Sequence, residues 1–291
     1  MKIDYHMHFE YGDYDLDWVQ GFIDTAIANG LDEIGISEHS HTFPEFEHFY
    51  YDDLILDDSF VGNFQRRWLH RNKFKHTIDE YFSFMDKLQK HVANSKHPIG
   101  IKIGIEVCNF RDQTAVKKLL DSYDFDYIIG SVHFIDGWAF DSSEIKDEWN
   151  NRSLKQIYER YTSEIENMAR VDCYDVLGHP FNIRLFKYFP KDFDVTPYLD
   201  RAALALHNAN MGIDVNTGTL YRYPIQEISP FPEFMQVAFE YKLPVVITSD
   251  AHKPEDCGKF NDTARKYVKS FGFERMLRFS HRKRSFVDID D

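Results

Sequence analysis

Hydrophobic and polar positions along this chain follow two rhythms in turn. Short apolar runs at residues 2–8, 33–37, 99–106, 126–133, 174–177, 211–216 and 244–248 read as strands, because they are brief, rich in Ile and Val, and bounded by Gly, Pro, Asn or Asp. Between them, apolar residues recur at three- and four-residue steps. In 16–29 the repeat is Trp18, Val19, Phe22, Ile23, Ala26 and Ile27, one buried helical face that stops at Gly30. Similar patterns predict helices over 78–93, 114–122, 153–170, 197–210 and 232–241, and another beginning near Asp262. Strand and helix thus alternate about seven times without an internal repeat, the rhythm of a parallel α/β barrel. Residues 42–76 break it with Pro44, many aromatics and no clean period, so an insertion with short helices of its own, lying over the site, is expected there. Its His48, His70 and His76 are read as surface or packing residues. Residues 134–151 read as an aromatic, acidic loop, and the tail 280–284 as a solvated basic end.

Composition narrows the class of protein. At 291 residues the chain can fill one sizeable core, and a single domain spanning 1–291 is expected. A formal net charge of −14 argues against bulk nucleic acid binding, which needs many Lys and Arg contacts to phosphates, but leaves room for a small phosphorylated substrate. Cys108, Cys173 and Cys257 are widely spaced and form neither a disulfide framework nor a zinc ribbon. No stretch approaches the length of a membrane span and no apolar leader precedes the first strand, which points to a cytoplasmic enzyme.

The chemistry lies at the ends of the apolar runs. In a strand over 2–8, side chains alternate faces, so His6 and His8 point the same way and make half of a metal site. In a chain with fourteen histidines such a pair means little alone. Further along, however, His39, Glu106, His133, His179, and Asp250 with His252 each follow a short apolar run. Ligand-type residues at one end of strand after strand are how a barrel or α/β sheet assembles a site. Mixed imidazole and carboxylate donors suit Zn, Fe or Mn. Arg184 and Arg222 are candidate phosphate grips, and Asn216 with Thr217 either orients a ligand or caps the next segment. His41 is expected behind the ligands or exposed. Cys108 is expected to be buried filler, since nothing in the sequence supplies a basic partner.

The ordered set Asp4-Tyr5-His6-Met7-His8, Ser37-Glu38-His39, Gly104-Ile105-Glu106, Gly130-Ser131-Val132-His133, Val176-Leu177-Gly178-His179, Ile213-Asp214-Val215-Asn216-Thr217 and Ser249-Asp250-Ala251-His252-Lys253-Pro254 resembles the PHP (polymerase and histidinol phosphatase) family of metallophosphoesterases, and more closely its histidinol-phosphate phosphatase branch. The resemblance covers most of the chain. It implies a distorted (β/α)7 barrel with two or three divalent transition metals at the strand ends. By the same resemblance, His6, His8, Glu106 and Asp250 surround the first metal, Glu106 bridges to a second held by His133 and His179, and His39 and His252 take a third. Members often carry a further histidine just after His-x-His; here Glu10, Asp13 or Asp15 stands in as an oxygen ligand. Glu38 occupies a position that is Asp in many members.

A metal cluster answers the difficulty of phosphate monoester hydrolysis, because bound cations lower the pKa of water toward about 7 and clamp the attacking and leaving oxygens. Glu106, Asp250 and His252 are the expected catalytic residues, and Arg184, Asn216 and Arg222 the expected substrate contacts. The resemblance implies a phosphatase releasing L-histidinol and phosphate from L-histidinol phosphate in histidine biosynthesis. Glu10, Asp13 and Asp15 are the candidate acidic wall for that cationic substrate. Two alternatives stay open: a phosphoesterase for another small phosphomonoester or a nucleotide end, and a catalytically silent metal-binding scaffold.

Overall fold

Four parallel strands open the sheet: β1 (Ile3–Asp4), β2 (Glu33–His39), β3 (Gly100–Cys108) and β4 (Tyr127–Ser131). A small antiparallel hairpin, β5 (Phe134–Ile135) with β6 (Trp138–Ala139), interrupts the series. It resumes with β7 (Val176–Leu177), β8 (Gly212–Asn216) and β9 (Val245–Thr248), all parallel. A parallel bridge from Met7 to Ala251 brings the last of these back to the first, so seven parallel strands form a nearly closed barrel, as the alternating pattern predicts. This computed structural model describes residues 1–71 and 73–289.

The connections carry the helices. α1 (Leu16–Ala28) joins β1 to β2, and its Val19, Phe22, Ile23 and Ala26 are buried against the barrel. α2 (Glu47–Asp53) and α3 (Phe60–Leu69) lie in the predicted insertion, ahead of α4 (Ile78–Ala93), which starts at a Thr77/Glu80 capping box. α5 (Gln113–Leu120) links β3 to β4, α6 (Leu154–Ala169) precedes β7, and α7 (Thr196–Asn208) precedes β8. α8 (Gly218–Arg222) and α9 (Pro232–Glu240) lie between β8 and β9, and α10 (Asn261–Ser270) follows β9.

The barrel interior is filled around one aromatic ring. Tyr127 donates to the Tyr5 carbonyl at 2.6 Å, and its side chain lies so close over Gly35 and Gly104 that a Cβ would come within 2.3 Å of its hydroxyl at the first and of its ring at the second. Tyr81 donates to the carbonyls of Ile36 and Gly104 at 2.9 and 3.0 Å, tying α4 to both strands.

The insertion carries short helices of its own, as expected, and is packed in place: Phe43, Phe46 and Tyr50 are fully buried, and the Gln65 carboxamide binds the Ile55 and Gly137 carbonyls and the Ala139 amide. Two other regions differ from the sequence reading. Residues 134–151 are ordered by their own small core, with Trp138 and Phe140 fully buried and Trp149 donating to the Phe140 carbonyl. The basic tail forms the turn between β10 (Arg275–Ser280) and β11 (Lys283–Asp288). There Arg282 and Arg284 pair with the buried Asp175, which a local reading of the charge run could not show.

Candidate metal centre

Glu106, at the end of β3, is the hub of the site. Its Oε1 lies 3.0 Å from His179 Nε2, 3.3 Å from His6 Nε2 and 3.5 Å from His133 Nε2, and its Oε2 lies 3.2 Å from His39 Nε2. Ser131 donates to Oε1 at 2.6 Å. His8 Nε2 lies 3.5 Å from Asp250 Oδ1. The donor atoms fall into overlapping groups, each within 4.8 Å: His6, His8 and Glu106; Glu106, His133 and His179; His8, His39 and His252; His6, His179 and Asp250; and Glu10, His39 and His41. All eight residues expected to hold a metal are therefore gathered at one end of the barrel, from six separate stretches of the chain. His179 and Asp250 reach their places with φ of 27° and 54°, a region disfavoured for residues with a Cβ, and the strain falls where the site is built.

The electrostatics suit a cation site. Burial alone would raise Glu106, but His6, His133 and His179 outweigh it and hold the carboxyl well below its usual range. Asp250 is likewise held well below, with Arg222 and His6 overcoming burial. His39 and His252 are pushed well below the ordinary imidazole value by burial, then by the histidine or arginine beside each, so both are neutral and keep a lone pair. Burial also lowers His133. His6 differs: burial would lower it, yet Glu106, Asp250 and Asp214 together raise it well above. Its Nδ1 donates to Asp214 Oδ2 at 2.9 Å, which turns Nε2 toward Glu106 Oε1. A lone pair facing a carboxylate oxygen at that distance needs a positive charge between or on them, either a proton or a metal. His6 Nε2, both nitrogens of His8, and Nδ1 of His39 and His179 are buried without hydrogen-bond partners, a donor set that a metal would satisfy.

A cavity of about 90 Å³ opens over this cluster. Arg222 lines it, bonded to Asp250 Oδ2 and 2.6 Å from His252 Nδ1. Arg184 does not. It stacks on Phe231 at 3.8 Å and faces Glu233, lining a different, more apolar cavity, so of the two candidate phosphate grips Arg222 stands at the cluster and Arg184 does not. Asn216 is also corrected: it is fully buried, donates to Asp214 and Asp250, accepts from the Gly218 amide, and has no face left for a substrate.

Other side chains acquire roles that the sequence reading did not assign. Asp214, fully buried in β8, accepts from His6, Thr248, Asn216 and the His179 amide, and so orients two imidazoles. The signal was present, a carboxylate two residues before Asn216 on the same strand face. Asp4 similarly fixes the loop after β9 through Ser249 and Gly258. Glu10 lies 3.5–3.6 Å from His252, His39 and His41, whereas Asp13 is exposed beside Lys75 and Asp15 caps α1. Of the three loop carboxylates only Glu10 stands at the cluster. His41 is buried and stacks on His39, with Lys73 Nζ 3.1 Å from its Nε2. Cys108 does have a basic neighbour: its Sγ is 3.2 Å from His133 Nδ1, but burial raises the thiol and keeps it protonated.

Comparison with known proteins agrees with this architecture. A probable histidinol-phosphatase of Deinococcus radiodurans is 32% identical over 209 residues, covering 71% of this chain and 76% of that one. A histidinol-phosphatase of Lactococcus lactis is 25% identical over 97% of this chain and 96% of its own length. The crystal structure of histidinol phosphate phosphatase from Lactococcus lactis, complexed with zinc, L-histidinol and phosphate, shares the fold with a TM-score of 0.72 at 22% identity, covering 98% of each chain. A putative histidinol phosphatase from Listeria monocytogenes gives the same TM-score and identity over 90% of this chain and 99% of that one. The PHP domain family model matches residues 4–218, and the chain belongs to that family.

Proposed function

We propose that this protein is a metal-dependent phosphatase that hydrolyses L-histidinol phosphate to L-histidinol and phosphate, a step of histidine biosynthesis. The observation that carries the proposal is Glu106 surrounded by buried, partner-seeking imidazoles directly beneath a cavity that also presents Arg222. The substrate follows from the relatives, which are named for that activity. No helix among the described residues is long and apolar enough to cross a membrane, and all three cysteines are free, in keeping with a cytoplasmic enzyme built as one domain.

In this reading His6, His8, Glu106 and Asp250 would hold one cation, Glu106, His133 and His179 a second, and His39, His252 and Glu10 a third. When bound, two or three such cations supply the positive charge that activates water and offsets the negative phosphoryl oxygens. The chain's own groups do the rest. Asp214 locks His6 with Nε2 facing the cluster. Arg222 presents a guanidinium fork to phosphate oxygens. Asp250, kept ionised by Arg222 and His6 against its burial, presents Oδ1 to the cluster as a carboxylate oxygen. His252, kept neutral, serves through Nε2 as a donor atom and not as a standing acid.

The test is phosphate release from a panel of phosphomonoesters by the zinc-, iron- or manganese-loaded enzyme. The reading predicts the highest kcat/KM for L-histidinol phosphate. A higher value for a nucleotide or sugar phosphate would replace the substrate, and bound metal without turnover of any ester would make the protein a silent metal-binding domain.

A further inference from the structure

We infer that the buried Cys108 thiol is the positioning partner of His133, holding its ring so that Nε2 faces the second cation. The inference rests on the phosphatase reading above, in which Glu106, His133 and His179 share that cation. It also gives the insertion a part in the centre, because the thiol is itself held from there.

His133 Nε2 lies 3.5 Å from Glu106 Oε1 and 3.3 Å from His179 Nε2. A cation at that place needs the Nε2 lone pair, so the proton of the neutral ring sits on Nδ1. Cys108 Sγ, at 3.2 Å, is the acceptor for that proton. Among the described residues no carboxylate or carbonyl oxygen takes its place. His6 has the same arrangement at the first cation, with the Asp214 carboxylate where His133 has a thiol.

The thiol is placed by the strand that carries it and by partners of its own. Glu106 and Cys108 are two residues apart on β3, so their side chains leave the same face. In the pairing with β4, Cys108 stands opposite Ser131, two residues before His133. Asn109, next along the chain, accepts from the His133 amide at 3.0 Å and fixes the backbone, which leaves the ring to Cys108. On the far side of the sulfur, Tyr50 Oη lies 3.2 Å from Sγ and 2.8 Å from Ser40 Oγ, and Ser40 Oγ lies 3.8 Å from Sγ. All three residues are buried. Their protons close a ring: the thiol donates to Tyr50, Tyr50 to Ser40, and Ser40 to the sulfur, whose second lone pair takes the proton of His133 Nδ1. Tyr50 belongs to α2 of the insertion and packs edge-on against Phe110 at 4.8 Å, while Ser40 directly follows His39. One sulfur therefore ties His133 to the segment that carries His39, a chain of polar contacts that simple filler would not need.

The experiment measures the affinity for each successive cobalt ion by chelator competition in wild type, Cys108→Ser and Cys108→Ala, with circular dichroism as the check on folding. Serine keeps an acceptor and a donor at the position, and alanine removes both. The second ion binds about 10-fold more weakly in Cys108→Ala, the low end for a lost supporting partner because the thiol is uncharged, while Cys108→Ser stays within about threefold of wild type. Wild-type affinity in Cys108→Ala overturns the inference. So does equal weakening in both variants, which would make Cys108 a packing residue only. A thiolate-to-cobalt charge-transfer band in wild type, absent from Cys108→Ser, would make Cys108 a ligand and overturns it too. A second measurement needs no variant: nitrogen NMR of the zinc-loaded wild type finds the His133 proton on Nδ1, and a bare Nδ1 overturns the inference. If the affinities behave as stated but wild type turns over no phosphomonoester, the functional reading fails and the support of His133 stands. A wild type that never takes a second ion refutes both.

Discussion

Replacing Asp214 with Asn tests whether the cluster depends on a residue that never touches the metal. Asp214 Oδ2 accepts from His6 Nδ1 at 2.9 Å, Asn216 Nδ2 at 3.1 Å and the His179 amide at 3.2 Å, while Oδ1 accepts from the Thr248 hydroxyl. In Asp214→Asn the remaining oxygen can keep the three nitrogen donors, and the new amide can donate to Thr248, whose hydroxyl also accepts. The fold is therefore retained, but the negative charge behind His6 is gone. A hydrogen bond to a charged acceptor contributes about 1.5–3 kcal/mol and a neutral one about 0.5–1.5, so the bond that orients His6 weakens by about 1–1.5 kcal/mol. Loss of such a supporting partner lowers metal affinity roughly 10- to 100-fold, equivalent to about 1.4–2.7 kcal/mol. Chelator-competition titration of the purified variant, with circular dichroism as a check on folding, measures this directly. A folded Asp214→Asn protein that holds metal as tightly as wild type would refute the argument.

Arg222→Ala should raise KM for phosphomonoesters roughly 10- to 100-fold, as expected for a lost charged phosphate contact, while Arg184→Ala leaves KM within about threefold of wild type; steady-state kinetics of the pair distinguishes the two arginines, and the reverse result would restore Arg184 to the site. Gly104→Ala should destabilise the barrel by about 1–3 kcal/mol, because its Cβ would meet the Tyr127 ring at 2.3 Å and Tyr127 is held by the Tyr5 carbonyl; a urea midpoint equal to that of wild type would show that the ring moves freely.

Much of the fold was legible because strand and helix periods were clean and six of the seven apolar runs led to a ligand-type residue. Period two placed His6 and His8 on one side, and their rings lie 5.1 Å apart, although the regular strand itself covers only Ile3–Asp4. The arginines were not legible in the same way. Arg184 and Arg222 both follow barrel strands, and only the left-handed turn at Phe181 and the stack on Phe231 send Arg184 elsewhere. Asp214 was hidden inside an apolar run, where its partners come from positions 6, 179 and 248. The basic tail was misread for a related reason: what fixes it is Asp175, and local charge patterns carry no record of such a distant contact.

The central claim is that Glu106 joins the cations on which phosphate release depends, and one paired measurement addresses it. Metal content and phosphate release from L-histidinol phosphate are determined together for wild type and Glu106→Gln. The account predicts at least two divalent ions and turnover in wild type, with metal lost and release reduced at least about 100-fold in the variant. Full activity in Glu106→Gln would contradict it.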